Sequence, residues 1–383
     1  MQESVFITGA SGFLGGALIA RLLERNLRVR CLVRASSAEQ GLVRLRDGLS
    51  RYGLREDRLT AIGASDIVCG DLVEPERWLG DPRVRAATRI VNCGASTAFG
   101  QDSLAWAVNY EGTLAFARAA ATFPDLQRFL HVGTAMSCGP GQPRLVSEAF
   151  ASRPSDEHYV GYTASKARFE EDVVESVPTL PLVVARPSIV LGHTELGCAP
   201  SASIYWILRM ARAIGGFSCD LDDTIDIVPV DWAALALERL LFAEQLRHRT
   251  YHLSAGSVSR IAYREIDVAF ARADGTEPVA HLYRRLAPED LPRESRVATG
   301  ELGRAQARLA GMALSLYGAF AELAYTFDNA RILAEGVPPP PRLVDYFDRC
   351  VETARSIPLA AQISRDVKLQ GVSAAPAGVL AAA

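Results

Sequence analysis

Short β-rich apolar runs alternate with longer stretches of helical periodicity through the first half of the chain. Residues 5–8 form one such run, followed at once by Gly9, Ser11, Gly12, Gly15 and Gly16. Leu14, Leu18, Ile19, Leu22 and Leu23 then recur at helical spacing, so the opening reads as strand, tight glycine turn and helix. Residues 27–33 alternate as a second strand, and 66–70, 89–93, 128–132 and 182–185 are further short apolar runs. Ala- and Leu-rich stretches at 103–122 and 165–177 separate them as helices. Strands alternating with helices predict an α/β fold built on a doubly wound parallel sheet of Rossmann type.

Two regions depart from this rhythm. Residues 36–59 insert a polar, Arg-rich segment (Arg44, Arg46, Arg51, Arg55, Arg58), which predicts one lengthened helix on the rim. From about Cys198 the alternation weakens, and from Val258 onward the pattern is mostly amphipathic helix. The expected organisation is a dinucleotide-binding unit over 1–197 with later returns near 220–255. A smaller, mostly helical substrate region over 198–372 and a frayed tail over 373–383 complete it. The apolar stretch 309–327 carries Glu322 and small or polar residues, which makes it a buried helix and not a membrane span.

Composition narrows the function classes. A length of 383 residues, 49% hydrophobic, with net charge -3, supplies a sizeable core and no polyelectrolyte character, so nucleic acid and anionic membrane are not the expected partners. Seven scattered cysteines without a CxxC pair, and no leader of signal-peptide type, set a reducing, cytoplasmic location as the expectation. The six histidines show neither H-x-H nor H-E-x-x-H spacing, so no metal site is expected. No G-x-S-x-G elbow points to hydrolase chemistry.

The segment Thr8-Gly9-Ala10-Ser11-Gly12-Phe13-Leu14-Gly15 puts glycines where a backbone must turn off a strand and approach a pyrophosphate at a helix N-terminus. Dinucleotide sites that prefer NAD present an acid at the end of the second strand to hold the ribose 2′-hydroxyl. Arg34 stands there instead, with Arg44 of the insert also a candidate, and a guanidinium suits a 2′-phosphate, so the expected cofactor is NADPH. Asp71, after the third strand, is placed to accept from the adenine amino group, or is a turn aspartate.

Of the 41 basic residues, 39 are Arg and two are Lys, Lys166 and Lys368. Tyr162 and Lys166 form Y-x-x-x-K, which on a helix sets both side chains on one face, one turn apart. An ammonium near a phenol lowers the phenol's pKa and lets the hydroxyl act as proton donor to a reacting carbonyl. Thr134, directly after the strand 128–132, is the expected hydroxyl partner, ahead of Ser137.

Together these residues resemble the extended short-chain dehydrogenase/reductase superfamily. The resemblance rests on the glycine loop, Gly70-Asp71-Leu72, Asn92-Cys93-Gly94-Ala95, Asn109, Tyr162 with Lys166, and Arg186-Pro187-Ser188. Within it the chain is most similar to the thioester reductase and fatty acyl-CoA reductase branch, of male sterility type. That finer likeness rests on Leu32-Val33-Arg34-Ala35, the insert ending Arg51-Tyr52-Gly53-Leu54, Arg186-Pro187-Ser188-Ile189-Val190 and Ile227-Val228-Pro229-Val230-Asp231. It covers about residues 4–240, and Thr326-Phe327-Asp328-Asn329 is similar to the C-terminal domain of the acyl reductases. The resemblance implies that Thr134 and Tyr162 polarise the carbonyl and that Lys166 tunes Tyr162 and holds the nicotinamide ribose. It adds Leu72, Asn92, Gly94, Pro187, Ser188 and Ile189 to the cofactor site, and sets Pro187 to Val190 against the nicotinamide. His131 and Cys138, which flank the site, have no role in this reading.

The implied activity is NADPH-dependent reduction of an acyl thioester, delivered by CoA or by an acyl or peptidyl carrier protein. The product is an aldehyde, with further reduction to alcohol left open. Two other readings remain within the superfamily, a ketone or aldehyde reductase and a nucleotide-sugar epimerase or dehydratase. A third, a non-catalytic NADP-sensing regulator, needs no paired Tyr162 and Lys166. The cluster Tyr205, Trp206, Leu208 and Met210 lines an acyl pocket or is plain core.

Overall fold

The computed structural model describes residues 3–97, 102–150, 152–298 and 304–363. Seven parallel strands make the main sheet: β1 (Val5–Thr8), β2 (Val29–Val33), β3 (Ile67–Cys69), β4 (Arg89–Asn92), β5 (Arg128–Val132), β6 (Leu182–Pro187) and β7 (Thr250–Leu253). Their spatial order is β7-β6-β5-β4-β1-β2-β3, every neighbouring pair parallel. The order turns back on itself at β1, which pairs with β2 on one side and β4 on the other. A crevice therefore opens at the carboxyl ends of β1 and β4, where ligands bind in open α/β sheets.

The principal helices are α1 (Phe13–Glu24), α2 (Ala38–Ser50), α3 (Gly161–Ser176), α4 (Tyr205–Ile214), α5 (Val230–Phe242), α6 (Tyr263–Asp274), α7 (Arg304–Glu322) and α8 (Leu343–Ala354). Strand alternation divides the core between the two faces of the sheet. Val5, Ile7, Val91 and Leu130 pack on one face with Leu18 and Leu22 of α1 and Leu237 and Leu241 of α5. Phe6, Ile90, Phe129 and Val184 face the other way, onto Trp78, Phe116 and Phe169. There Phe116 stands edge-on to Phe6, Trp78 and Phe129, with ring centroids 6.1, 5.0 and 5.3 Å away. A further cluster gathers α4, α6 and α8 around Tyr205, Trp206, Met210, Phe270 and Phe347, so Tyr205, Trp206 and Met210 are core.

Several elements differ from the pattern reading. The insert is not one long helix: α2 ends at Ser50, Gly53 adopts φ +67, and a separate short helix covers Glu56–Thr60. The stretch 103–122 is broken by a π-helical segment, Trp106–Gly112, at whose end Gly112 passes so close to the Leu72 carbonyl that a Cβ would lie 1.7 Å from it. Helix α3 begins at Gly161, four residues before the periodicity does, which places Tyr162 in its first turn. The apolar stretch 309–327 leaves helix at Glu322 and finishes as a short strand, Thr326–Phe327, paired with Leu145–Val146. No helix among the described residues is long and apolar enough to cross a membrane. The expected tail, 373–383, lies outside the described residues.

At the turn after β1, Gly9 has φ +67, and a Cβ on it would lie 2.6 Å from the backbone of Cys93 and Gly94. A Cβ on Gly15 would lie 2.3 Å from the Gly9 carbonyl oxygen. The loop can close only with glycine at both points. Gly9→Ala is expected to lower stability by roughly 1–3 kcal/mol through backbone strain, read as a drop in Tm.

Candidate active site

The first three amides of α1, those of Phe13, Leu14 and Gly15, have no intrahelical acceptor, and the N-cap Gly12 offers no side-chain cap. No acidic residue sits in that first turn, so the helix end is open to an anion. Tyr52, from the end of the insert, donates its hydroxyl to the Phe13 carbonyl and packs on Gly16, bracing this helix start from the outside. Nothing in the sequence pattern had linked the insert to the loop.

Thr8, Leu72 and Asn92 are buried beneath the crevice. The Gly94 amide donates to Thr8 Oγ1 at 3.1 Å, and Thr8 Oγ1 donates to Asn92 Oδ1 at 2.5 Å. Thr8 and Asn92 thus tie the ends of β1 and β4 together, a role in shaping the crevice rather than lining it. At the end of β2, Arg34 Nε lies 3.7 Å from Asp71 Oδ2, and Arg44 Nη1 donates to the Arg34 carbonyl at 3.1 Å. Arg34, Arg44 and Asp71 therefore form one group, in which burial and the neighbouring Arg34 charge lower the Arg44 pKa.

Thr134 follows β5 directly and caps the short turn Ala135–Cys138, its Oγ1 accepting from the Met136 amide at 3.3 Å. Thr134 and Tyr162 line the same cavity. Ser137 instead donates to the Thr134 carbonyl at 2.7 Å and is buried. The expected lowering of the Tyr162 pKa is not what the structure gives. Burial pushes it up to about 12, with the Thr134 hydroxyl opposing and Glu170 reinforcing the rise, so Tyr162 is a phenol, a donor, at neutral pH.

Lys166 is 1% exposed and donates to the Val132 carbonyl at 2.8 Å. Burial lowers its pKa to about 8, against the raising influence of Glu170 and Cys93. Glu170 lies one further turn along α3, and its Oε2 accepts from Arg186 Nε at 2.7 Å and Arg186 Nη2 at 2.5 Å. Glu170 Oε1 is buried with no hydrogen-bond partner. Sequence reading missed Glu170, although its spacing of four from Lys166 was visible. His131 stays neutral: burial and the charges of Lys166 and Arg186 hold its pKa well below the usual value. Because Asn92 Oδ1 accepts from Thr8, Asn92 Nδ2 donates to His131 Nδ1 at 3.2 Å. Asn109, in the π-helical segment, accepts from the Ser96 amide at 2.8 Å and donates to Ser165 Oγ at 3.2 Å. It thereby pins the loop after β4 to α3.

A cavity of about 430 Å³ runs from Gly12, Phe13 and Leu14 past Cys93, Thr134 and Tyr162 to Ser188 and Ile189. Lys166, Pro187 and Gly94 do not line it. Its far wall comes from the C-terminal part: Leu208 of α4, Tyr263, Tyr317, Phe320 and Phe327. Asp226 closes one side, accepting from the amides of Ala255 at 2.6 Å and Phe327 at 3.0 Å, with burial pushing its pKa up to about 6. Among the described residues no group of His, Cys, Asp or Glu is arranged to hold a metal ion.

A doubly wound parallel sheet, an uncapped glycine-rich helix start and a Tyr-Thr pair over a buried lysine define an NAD(P)-dependent oxidoreductase of the extended short-chain dehydrogenase/reductase type. The chain belongs to the male sterility protein family, whose NAD-binding profile matches residues 7–237. It is 30% identical over 271 residues to the nonribosomal peptide synthetase hkm10 of Aspergillus hancockii, covering 66% of this chain and 26% of that protein. It is equally 30% identical over 270 residues to the aldehyde reductase lnaA of Aspergillus flavus, with the same coverage of 66% and 26%. The chain thus spans about a quarter of the length of these relatives. Its fold matches the terminal R domain of the myxalamid PKS-NRPS pathway with a TM-score of 0.74 at 22% identity, covering 92% of this chain and 91% of that one.

The Glu170 carboxylate faces Lys166 and favours its charged form, so removing that charge lowers the lysine pKa further. Glu170→Gln is expected to move the alkaline limb of the kcat/KM profile from about pH 8 to lower pH, together with a lower Tm from the unpaired Arg186. A pH titration of kcat/KM in wild type and variant checks this.

Proposed function

We propose that the chain reduces an acyl thioester to an aldehyde with NADPH: RCO–SR′ + NADPH + H⁺ → RCHO + R′SH + NADP⁺. The observation that carries this reading is the Thr134–Tyr162 hydroxyl pair on the wall of a large, mainly apolar cavity that also reaches the open amides of α1. When bound, the dinucleotide supplies the hydride. The α1 amides would hold its pyrophosphate, and Arg34 and Arg44 a 2′-phosphate, since two guanidinium groups stand where an acid would serve a ribose hydroxyl.

The residues' work in the reaction is electrostatic. A thioester carbonyl that gains a hydride becomes an oxyanion, and two hydroxyl donors already fixed by their surroundings stabilise it without reorganising. Tyr162, still protonated at neutral pH, is suited to donate there, and Thr134 keeps its hydroxyl directed by capping the turn behind it. Collapse of the tetrahedral oxyanion expels the thiolate, which leaves readily. Lys166, lying behind the wall, keeps a positive charge beneath the site.

The acyl group arrives on a phosphopantetheine arm, from a carrier protein or as CoA. Support comes from the synthetase and reductase relatives and from a cavity of about 430 Å³ that runs from the start of α1 past Thr134 and Tyr162 to the C-terminal wall. The Tyr162→Phe variant is expected to lose thioester-dependent NADPH oxidation by about 100-fold or more while still binding NADPH, followed by the loss of NADPH absorbance and by cofactor titration. Arg34→Ala is expected to raise KM for NADPH by about tenfold or more and to leave KM for NADH unchanged, since only the 2′-phosphate contact is removed.

A further inference from the structure

Four segments far apart in the chain meet on the C-terminal side of the catalytic cavity: residues 188–190 after β6, 224–228, 254–256 after β7, and 326–329. Asp226 bonds to the other three. Its main-chain carbonyl accepts from the Ile189 amide at 3.3 Å, while its carboxylate oxygens divide between the Ala255 amide at 2.6 Å and the Phe327 amide at 3.0 Å. The residue is 3% exposed, and what surface it has faces the cavity, alongside Ser188, Ile189 and Phe327. Burial pushes its pKa up only to about 6, because the Phe327 and Ala255 amides and the Ser188 hydroxyl oppose the rise. At neutral pH it is therefore a carboxylate, an acceptor at both ends.

The surrounding contacts give this junction a defined shape. Ser254 Oγ donates to the Phe327 carbonyl at 2.8 Å, and Asn329 Nδ2 donates to the Ser254 carbonyl at 2.8 Å. Gly256, at φ +63, passes so near Asn329 that a Cβ would lie 2.4 Å from Asn329 Oδ1. These bonds join the segment after β7 to the C-terminal wall, and Ile227–Val228 running parallel to Ile189–Val190 joins Asp226 to the loop after β6. We propose that Asp226 is a positioning residue for the reduction: by holding the 188–190 loop and the Phe327 wall to one residue, it fixes the width of the cavity between them and hence where the reacting carbonyl lies relative to Thr134 and Tyr162. The proposal rests on the thioester reading of the reaction and adds a residue that touches neither hydride nor carbonyl. The carboxylate is specific to this task, since an asparagine has one acceptor end and one donor end and can serve only one of the two amides.

The test is Asp226→Asn, assayed with an acyl-CoA thioester and NADPH. Misplacing a bound carbonyl by about 1 Å costs on the order of 100-fold, so kcat is expected to fall by about 10- to 100-fold. NADPH affinity by titration is expected to stay unchanged, and the primary isotope effect on kcat with NADPH deuterated at the transferred hydrogen is expected to grow as hydride transfer becomes limiting. A lower Tm with kcat per NADPH-binding site and isotope effect both unchanged overturns the proposal and makes Asp226 a packing residue. If the variant does not fold, Ala255→Pro takes its place: φ is -66 at Ala255, which suits proline, and the change withdraws only the donor to Asp226 Oδ1. The same directions are expected and the same result overturns. Deuterium exchange supplies a readout without turnover. The peptides carrying Ile189 and Phe327 are both expected to exchange faster in the variant, with β1 and β4 unchanged, and acceleration confined to one peptide or spread over the sheet overturns the coupling. If wild type reduces no thioester while the exchange result holds, the coupling of loop to wall stands and the thioester reading falls. If thioesters are reduced and the variant's kcat equals that of wild type, the positioning role falls alone.

Discussion

The organising constraint is a single ammonium group taken out of water. A buried, uncompensated charge costs several kcal/mol, so the fold around Lys166 has to answer it. It does so with alternating sign: Lys166, then Glu170 one turn along α3, then Arg186 from β6, whose guanidinium lies 4.0 Å over the Phe150 ring. The compactness of that arrangement reaches into the backbone. A Cβ at residue 133 would lie 2.3 Å from Glu170 Oε1, so a side chain immediately before Thr134 would displace that carboxylate. The hydroxyl at the cavity wall is therefore set in place by the same packing that shelters the charge. In a chain with 39 Arg and two Lys, the compact ammonium is what can sit against the Val132 carbonyl in so little space.

The remainder of the site follows from the switch in strand order. β1 and β4 stay paired to Thr8 and Asn92, the chain then leaves them toward opposite faces of the sheet, and the Gly94–Thr8–Asn92–His131 hydrogen bonds fix the floor of the crevice between. His131 is neutral because two cations and burial leave it no alternative, and its ring lies 4.3 Å from Phe169, so it acts as packing with one polar tether. Asn109 and Tyr52 brace the two loops from behind, one from a π-helical segment and one from the insert. The polar groups next to the cavity are thus mostly engaged with each other, and Thr134 and Tyr162 are the pair directed at it.

Local geometry was legible in the sequence where one residue type has one use. The glycine loop, the Tyr162/Lys166 spacing and Thr134 at a strand end could be read because backbone close approach and helical periodicity leave marks on composition. The sheet was legible to within two residues at β1, β2, β4, β5 and the start of β6, since these are short β-rich runs between turn residues. β7 was not separately visible, because Thr250–Leu253 is a four-residue run with a histidine inside it. The sign of the Tyr162 shift was illegible as well: spacing places an ammonium near a phenol, but only the packed structure says how much solvent the phenol has lost. Glu170 stood at a visible spacing of four from Lys166, but its pairing with Arg186, like the reach of Tyr52 to the Phe13 carbonyl, is encoded by no periodicity.

Two thin strands carry a consequence for how the molecule is made. Thr326–Phe327 lies alongside Leu145–Val146, and the Tyr325 hydroxyl accepts from the Gln142 amide across 183 residues of chain. Tyr325 and Phe327 are part of the cavity's far wall. During synthesis the strands and helices of the nucleotide-binding part emerge before this wall and can close their local β-α-β contacts, while the wall waits until residue 327 has been made. For that interval the nascent chain presents an open apolar trough, a stage at which it depends on the speed of translation and on whatever shields exposed hydrocarbon in the cell.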